Sequence, residues 1–219
     1  MAETGTEKKV GVQPGQIRER IEFWSAALLA AATVATAYSA YEATRWGGVQ
    51  ATVFTEAGAN RTESAKARSD GFAMVSIDAG LFTQWGVAFS EKNRKLQRAI
   101  EQRLFRDEFI LAFNEWKAQN PAKNPDAAKN PFALDSYRPA QLVEAQKLEE
   151  IAAAKFDEGK AANQTSDDYV LLTIFFAAVL FFAGLSSKFI SNRVAMLALS
   201  FASMVLVGGI VRLSQLPFF

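Results

Sequence analysis

Three stretches of this chain contain no Asp, Glu, Lys or Arg: residues 23–41, 169–187 and 194–211, of 19, 19 and 18 residues. At about 1.5 Å of rise per helical residue, each is roughly 27–29 Å long, close to the thickness of a hydrocarbon core. A soluble globular domain has little use for three such windows. The sequence therefore predicts an all-α integral membrane protein with three transmembrane helices and a helical extramembrane domain. The mean hydropathy of +0.02 hides this, because it averages the apolar windows with a strongly charged middle. The expected plan is an N-terminal tail (1–22), a first span (23–45), the helical domain (46–168), a second span (169–187), a short turn (188–193), a third span (194–212) and a tail (213–219).

Charge sets the expected orientation. Lys8, Lys9, Arg18 and Arg20 precede the first span, and Lys188 and Arg193 sit in the turn between the second and third. Basic residues in short flanks stay cytoplasmic, so residues 46–168 are expected on the periplasmic face of a bacterial inner membrane. Ala35-Thr36-Ala37 has the small-x-small form of a signal cleavage site, but the preceding segment is long and of mixed charge. An uncleaved anchor is the expectation.

Composition removes several function classes. With no Cys and no His, disulfides, thiol chemistry, imidazole bases and the usual zinc sites are excluded. The 24 basic and 23 acidic residues create no bulk field for nucleic acid. There is no phosphate loop, dinucleotide fingerprint or serine-nucleophile elbow. The acidic pairs Asp107-Glu108, Glu149-Glu150 and Asp167-Asp168 occupy adjacent helical positions that point apart, so no metal is expected. No ionisable residue lies inside the apolar windows, which counts against an ion-coupled transporter. Neither an enzyme nor a cofactor is expected.

Along the chain, the first window is alanine-rich and suited to the interior of a bundle or oligomer, whereas Phe175, Phe176, Phe181 and Phe182 suggest a more peripheral second span. Beyond Gly47-Gly48 the first helix is expected to continue outward. Residues 72–89 show Met74, Leu81 and Trp85 at helical spacing, and residues 92–117 read as one long amphipathic helix. Three Asn-Pro pairs at 120–131 predict a stiff extended loop. Pro139 begins a further helix with a stripe of Leu142, Ala145, Leu148, Ile151, Ala152 and Phe156, and Ser166-Asp167-Asp168 resembles an N-cap opening the second span.

Arg45-Trp46-Gly47, Phe82-Thr83-Gln84-Trp85, Phe105-Arg106-Asp107-Glu108-Phe109, Asn124-Pro125-Asp126, Pro131-Phe132-Ala133, Tyr137-Arg138 and Tyr169-Val170-Leu171 leading to Phe181-Phe182-Ala183-Gly184 form a recurring order. In this it resembles an uncharacterised family of small bacterial three-span inner-membrane proteins. The resemblance covers nearly all of the chain beyond the N-terminal tail. It implies one span, a helical extramembrane domain and a hairpin of two spans, and it carries over no catalytic or ligand-binding residue.

Five features are candidates for function. Ser25, Thr33, Thr36 and Thr44 fall on one face of the first helix, where they could line a pore, although hydroxyls more often bond their own helix or hold neighbouring helices. Glu42 and Arg45 at its end could ring a pore mouth, or serve as ordinary headgroup anchors. Ala27, Ala31 and Ala35, with Phe105, Phe109, Phe113 and Trp116, are candidate oligomer contacts. Asp78 is a candidate buried acid, sharing a helix face with Met74, Leu81, Phe82 and Trp85; the ordinary outcome is a pairing with a nearby Lys or Arg. A basic run of Lys92, Arg94, Lys95, Arg98, Arg103 and Arg106 could attract an acidic partner or anionic lipid, or form a solvated face. The expected function is a non-enzymatic, oligomeric inner-membrane accessory or scaffold subunit acting through protein–protein contacts. Its partners would be membrane lipid and either further copies of the chain or another membrane protein, with no nucleic acid. The alternative is a small homo-oligomeric channel lined by the first span.

Overall fold

The computed structural model of the chain describes residues 14–218; Lys8 and Lys9 of the basic N-terminal flank lie outside them. The described residues form α1 (Pro14–Ser90), α2 (Arg94–Arg103), α3 (Asp107–Ala118), a 3-10 turn (Pro131–Ala133), α4 (Ala140–Ser186) and α5 (Asn192–Leu213), with no strand among them. The chain is all-helical, and α1, α4 and α5 are each long and apolar enough to cross a membrane.

The 77 residues of α1 run without interruption through Gly47-Gly48. Each glycine costs about 1 kcal/mol of helix stability, but extending an existing helix needs no new nucleus, and Ala/Glu/Arg-rich sequence follows. The helix ends at a Schellman turn. Asn93 N–H donates to the Ala88 carbonyl (2.9 Å) and Lys92 N–H to that of Phe89 (3.1 Å), with Lys92 at φ +59°.

Two compact units are built on these helices. One comprises Thr52 and the described residues before it, together with Glu158 onward; the other is Val53–Asp157. In the first, the core is Ala32 and Ala43 of α1, Tyr169, Leu172, Phe176, Val179 and Ala183 of α4, Ala202 and Leu206 of α5, and Leu216 beyond it. Within the chain, the second window, expected to be the more peripheral, supplies more of this core than the first. Alanine has little area to bury, so the fully buried contribution of α1 is small and its Leu28, Leu29 and Trp46 pack on partly buried, whereas α4 supplies most of the bulky buried groups. Ser166 does not open a helix either, because α4 runs through it from Ala140 to Ser186. Its hydroxyl donates to the Ala43 carbonyl (2.9 Å), and Asp168 instead pairs with Arg212 (2.9 Å).

In the second unit the expected helix over 92–117 is two helices. The chain breaks at residues 104–106, where Arg106 takes an extended conformation (φ −71°, ψ 153°) as the N-cap residue of α3. Phe105 is thereby turned into the core and α3 starts in a new direction. The Asn-Pro segment is not extended. Asn120, at φ +55°, accepts from the N–H groups of Lys123 (2.9 Å) and Asn124 (3.0 Å), coiling the loop into turns. The Pro139 carbonyl accepts from the third and fourth residues of α4, Leu142 (3.0 Å) and Val143 (3.2 Å). At Gly71 a Cβ would lie 2.5 Å from Leu142 Cδ2, so α1 and α4 meet there only because the side chain is missing.

A paired test follows for the first unit. A Cβ on Gly209 would stand 2.6 Å from Phe176 Cε1, whereas one on neighbouring Gly208 would meet nothing within 4 Å. Overpacking costs about 1–3 kcal/mol, against about 1 kcal/mol of helix propensity gained. Gly209→Ala should therefore lower the thermal midpoint followed by circular dichroism, and Gly208→Ala should hold or raise it. Equal midpoints for the two would contradict this packing.

Candidate functional site

In the Val53–Asp157 unit the chain concentrates its aromatic side chains. Phe105, Phe109, Phe113 and Trp116 are buried and pack with Trp85 and Ile100, with Phe82, Phe132 and Tyr137 against them. The geometry is largely edge-to-face: Phe105 with Phe109 (4.8 Å between centroids), Trp85 with Phe113 (4.9 Å) and Phe82 with Trp116 (5.3 Å). Each such pair adds about 0.5–1.5 kcal/mol beyond area burial. The face read as an oligomer contact is therefore consumed within the chain, Phe109 and Phe113 being fully buried. The indole N–H groups are satisfied as well. Trp116 Nε1 donates to the Ala128 carbonyl (2.7 Å), and Trp85 Nε1 donates to Glu101 Oε1 (2.7 Å), which also accepts from Lys117 Nζ (2.9 Å).

Beside this cluster lies a charged network centred on Asp78, whose side chain is fully buried. Arg106 grips it with a two-point fork, Nε to Oδ1 at 3.0 Å and Nη2 to Oδ2 at 2.7 Å. Tyr137 Oη donates to Oδ2 at 2.8 Å. The third guanidinium nitrogen, Nη1, donates to Glu108 Oε2 (2.9 Å), and Glu108 Oε1 accepts the N–H of Ala140 (3.2 Å), the first residue of α4. The network thus joins α1, the start of α3, the loop before α4 and the start of α4. Its two carboxylates face one guanidinium, and the excess negative charge sits at the N-termini of α3 and α4, where helix dipoles favour it.

The titrations follow from these contacts. The hydrogen bonds to Asp78 raise the Arg106 pKa further, outweighing the opposing effect of burial. Burial, then the hydrogen bond to Asp78 and its charge, push the Tyr137 phenol well above the usual tyrosine value, so it stays a donor. Every polar group at the centre of the network is committed to another, which makes it a structural keystone rather than an acid or base ready for substrate.

The first unit holds the hydroxyl stripe. Thr33, Thr36 and Thr44 donate to carbonyls four residues back, Leu29 (2.7 Å), Ala32 (2.7 Å) and Ala40 (2.9 Å), while Ser25 crosses to the Ala183 carbonyl of α4 (2.5 Å). Ala27 and Ala31 are exposed and Ala35 is half-buried. Glu42 is buried rather than solvated, and its Oε2 and the Oγ of buried Ser39 have no hydrogen-bond partner among the described residues. Arg45 is exposed, with Nη1 donating to Tyr41 Oη (2.9 Å).

Sequence reasoning named Asp78 but not its partners. Tyr137 lies 59 residues away and Arg106 lies 28 away inside the basic run, with no local pattern marking either as the mate. In comparisons with known proteins, no family model, curated protein or solved structure matches the chain.

Breaking a buried pair leaves an uncompensated charge, so Asp78→Ala should cost about 3–5 kcal/mol in chemical denaturation. Glu108→Gln, on the half-exposed side of the same arginine, should cost under about 1 kcal/mol. A reversal of that order would displace Asp78 as the keystone. The pH dependence has a defined sign. Because folding raises the Tyr137 pKa, its contribution is complete below about pH 10, the ordinary tyrosine value, and is lost as pH rises through the higher folded value. Stability should therefore decline above about pH 10, and less steeply in Tyr137→Phe. Identical alkaline slopes for the two proteins would contradict this account.

Proposed function

We propose that the chain is a non-enzymatic accessory or scaffold subunit of a membrane, inserted through the apolar parts of α1, α4 and α5 and acting through protein–protein contacts. The observation that carries this reading is the outward display of bulky apolar groups on those helices: Phe23 is 68% exposed, Phe181 62%, Leu197 72%, Met204 66% and Val207 61%. Water penalises such a surface at about 25 cal/mol per Å² of apolar area, whereas lipid does not. The positions of Lys188 and Arg193 favour a cytoplasmic turn between α4 and α5, with the helical unit on the outer face. The bacterial inner membrane is proposed from the family resemblance.

Protein contact, rather than catalysis or conduction, is supported by what the polar groups do. The carboxylate of Asp78 is fully engaged by Arg106 and Tyr137, and the threonines of α1 bond back into their own helix instead of projecting as a polar lining. Exposed Ala27 and Ala31 offer a surface on which a neighbouring helix can approach closely.

Native mass spectrometry of the protein, extracted gently from its own membrane, tests this directly. The expected result is a defined complex with another membrane protein. A closed ring of identical chains that conducts ions in bilayers, with Thr33→Leu or Thr36→Leu changing conductance but not assembly, would overturn it in favour of a channel. For orientation, Asn124→Cys should react with an impermeant thiol reagent on intact spheroplasts; reaction only after lysis would reverse the assignment.

A further inference from the structure

Apart from Arg106, the side chains of the basic run after α1 have no role in the contacts described so far. Lys92, Arg94 and Arg98 make no ion pair among the described residues. With Phe89, Gln97 and Lys117 they line a cavity of about 870 Å³. A second cavity of about 450 Å³ shares Phe89, Gln97 and Lys117 and adds Trp85, Trp116 and Lys129. The two cavities share three lining residues and so lie side by side, together forming a groove in the Val53–Asp157 unit.

Its chemistry is one-sided. Glu101 is the single acid lining either cavity, and its Oε1 is already held by Trp85 Nε1 and Lys117 Nζ. Lys92, Arg94, Arg98 and Lys129 therefore present positive charge that nothing in the lining offsets. The apolar part is aromatic: Trp85 and Trp116 are only 6% and 9% exposed, whereas Phe89 is 56% exposed and stacks on Trp85 (5.4 Å).

The backbone marks the same place. Lys92 (φ +59°) and Asn120 (φ +55°) are the non-glycine residues with positive φ among those described, and both line the groove. Asparagine tolerates this conformation well, but at the Schellman position of Lys92 glycine is the strain-free choice. Lysine there costs helix-end stability, and what it supplies in return is an ammonium at the groove.

We propose that this groove binds an extended acidic segment of a partner protein, with an aromatic or branched apolar side chain seated on Phe89 and the indoles and carboxylates on Arg94, Arg98 and Lys92. This rests on the reading of the chain as an accessory subunit and names the chemistry of its partner. Charge complementarity selects an acidic occupant, and guanidinium forks suit carboxylates. The larger cavity alone, at about 870 Å³, is near the top of the roughly 300–1,000 Å³ range of small-molecule sites, and the groove continues beyond it. A concave floor of nearly buried rings fits an inserted side chain better than a flat headgroup surface.

The test uses the full chain in phosphatidylcholine nanodiscs and a fluorescein-labelled peptide, EEWEEFEE, followed by anisotropy. The peptide should bind, and more weakly as salt rises from about 0.05 to 0.3 M. Its all-Gln counterpart should bind at least about tenfold more weakly, as should the acidic peptide to the Arg94→Gln/Arg98→Gln variant. Replacing both aromatic residues of the peptide by Ala should cost about threefold or more. Lys92→Gly should lose about threefold in affinity while its melting temperature rises, a combination that a purely structural lysine would not produce. Equal affinity for the Glu and Gln peptides, or unchanged binding by the double variant, overturns the proposal. So does co-sedimentation with phosphatidylglycerol vesicles that depends on Arg94 and Arg98 in the absence of peptide binding, which would assign the groove to lipid. If native mass spectrometry recovers a partner that the double variant still holds, the groove fails and the scaffold reading stands. A conducting ring of identical chains sinks the scaffold reading, and with it the partner assigned to the groove.

Discussion

The carboxylate of Asp78 is fully buried, and the form of the helical unit depends on how it is compensated. An isolated charge in that position would be intolerable, so the chain must deliver a cation and further donors to it. Arg106 can reach both carboxylate oxygens because α2 stops and the backbone extends at that residue before α3 begins. Tyr137 arrives from the loop that the Asn-Pro turns compact, and Glu108 carries the network on to the first N–H of α4. A buried ion pair of this kind adds little net stability relative to a well-packed apolar replacement. What it does is make one arrangement of α1, α3 and the start of α4 acceptable and leave alternatives with a bare charge.

The aromatic cluster supplies the driving force that the ion pair lacks. Fully buried Phe109 and Phe113 are each worth about 1.5–3 kcal/mol of burial. Residues of α1, α2, α3 and the Asn-Pro loop all contribute to this cluster, so α1, α3 and that loop are held both by Asp78 and by the rings. In the other unit the mechanism differs. There, shape decides the contact: Gly209 admits Phe176, Ala202 leaves room for its neighbours, and Ser25 and Ser166 anchor α1 to α4 through carbonyls.

Helix content and the three long apolar helices were legible in the sequence, because charge-free windows and 3.6-residue periodicity are local signals. The break at Arg106 was not. Residues 92–117 keep an amphipathic pattern through it, and the reason to stop is a carboxylate 28 positions upstream. Ser166-Asp167-Asp168 misled in the opposite sense. A cap motif matters only where a helix begins, and in the middle of α4 the serine found a carbonyl on α1 and the aspartate an arginine on α5. The alanines of the first span signalled close approach correctly in kind, but alanine marks where a helix can be approached and not from which side. Burial falls on Ala32 and Ala43, leaving Ala27 and Ala31 outward.

The same packing bears on how the basic groove would recognise a ligand. Binding is weakened by whatever must be ordered at the moment of contact, so a rigid floor is worth more than additional contacts. Here the ordering is done during folding. Trp85 is stacked with Phe82 and Phe89, its N–H is tied to Glu101, and the same carboxylate oxygen fixes Lys117 6.0 Å from the Trp85 ring centroid. Trp116 is tied to the Ala128 carbonyl, which holds the Asn-Pro loop as the groove's far border. Only the rim is left to adjust, and the rim is where exposed arginines and lysines with unspent charge are found. A fixed aromatic floor beneath an adaptable cationic rim discriminates by shape at its centre and by charge at its edge, so a ligand must satisfy both to gain affinity.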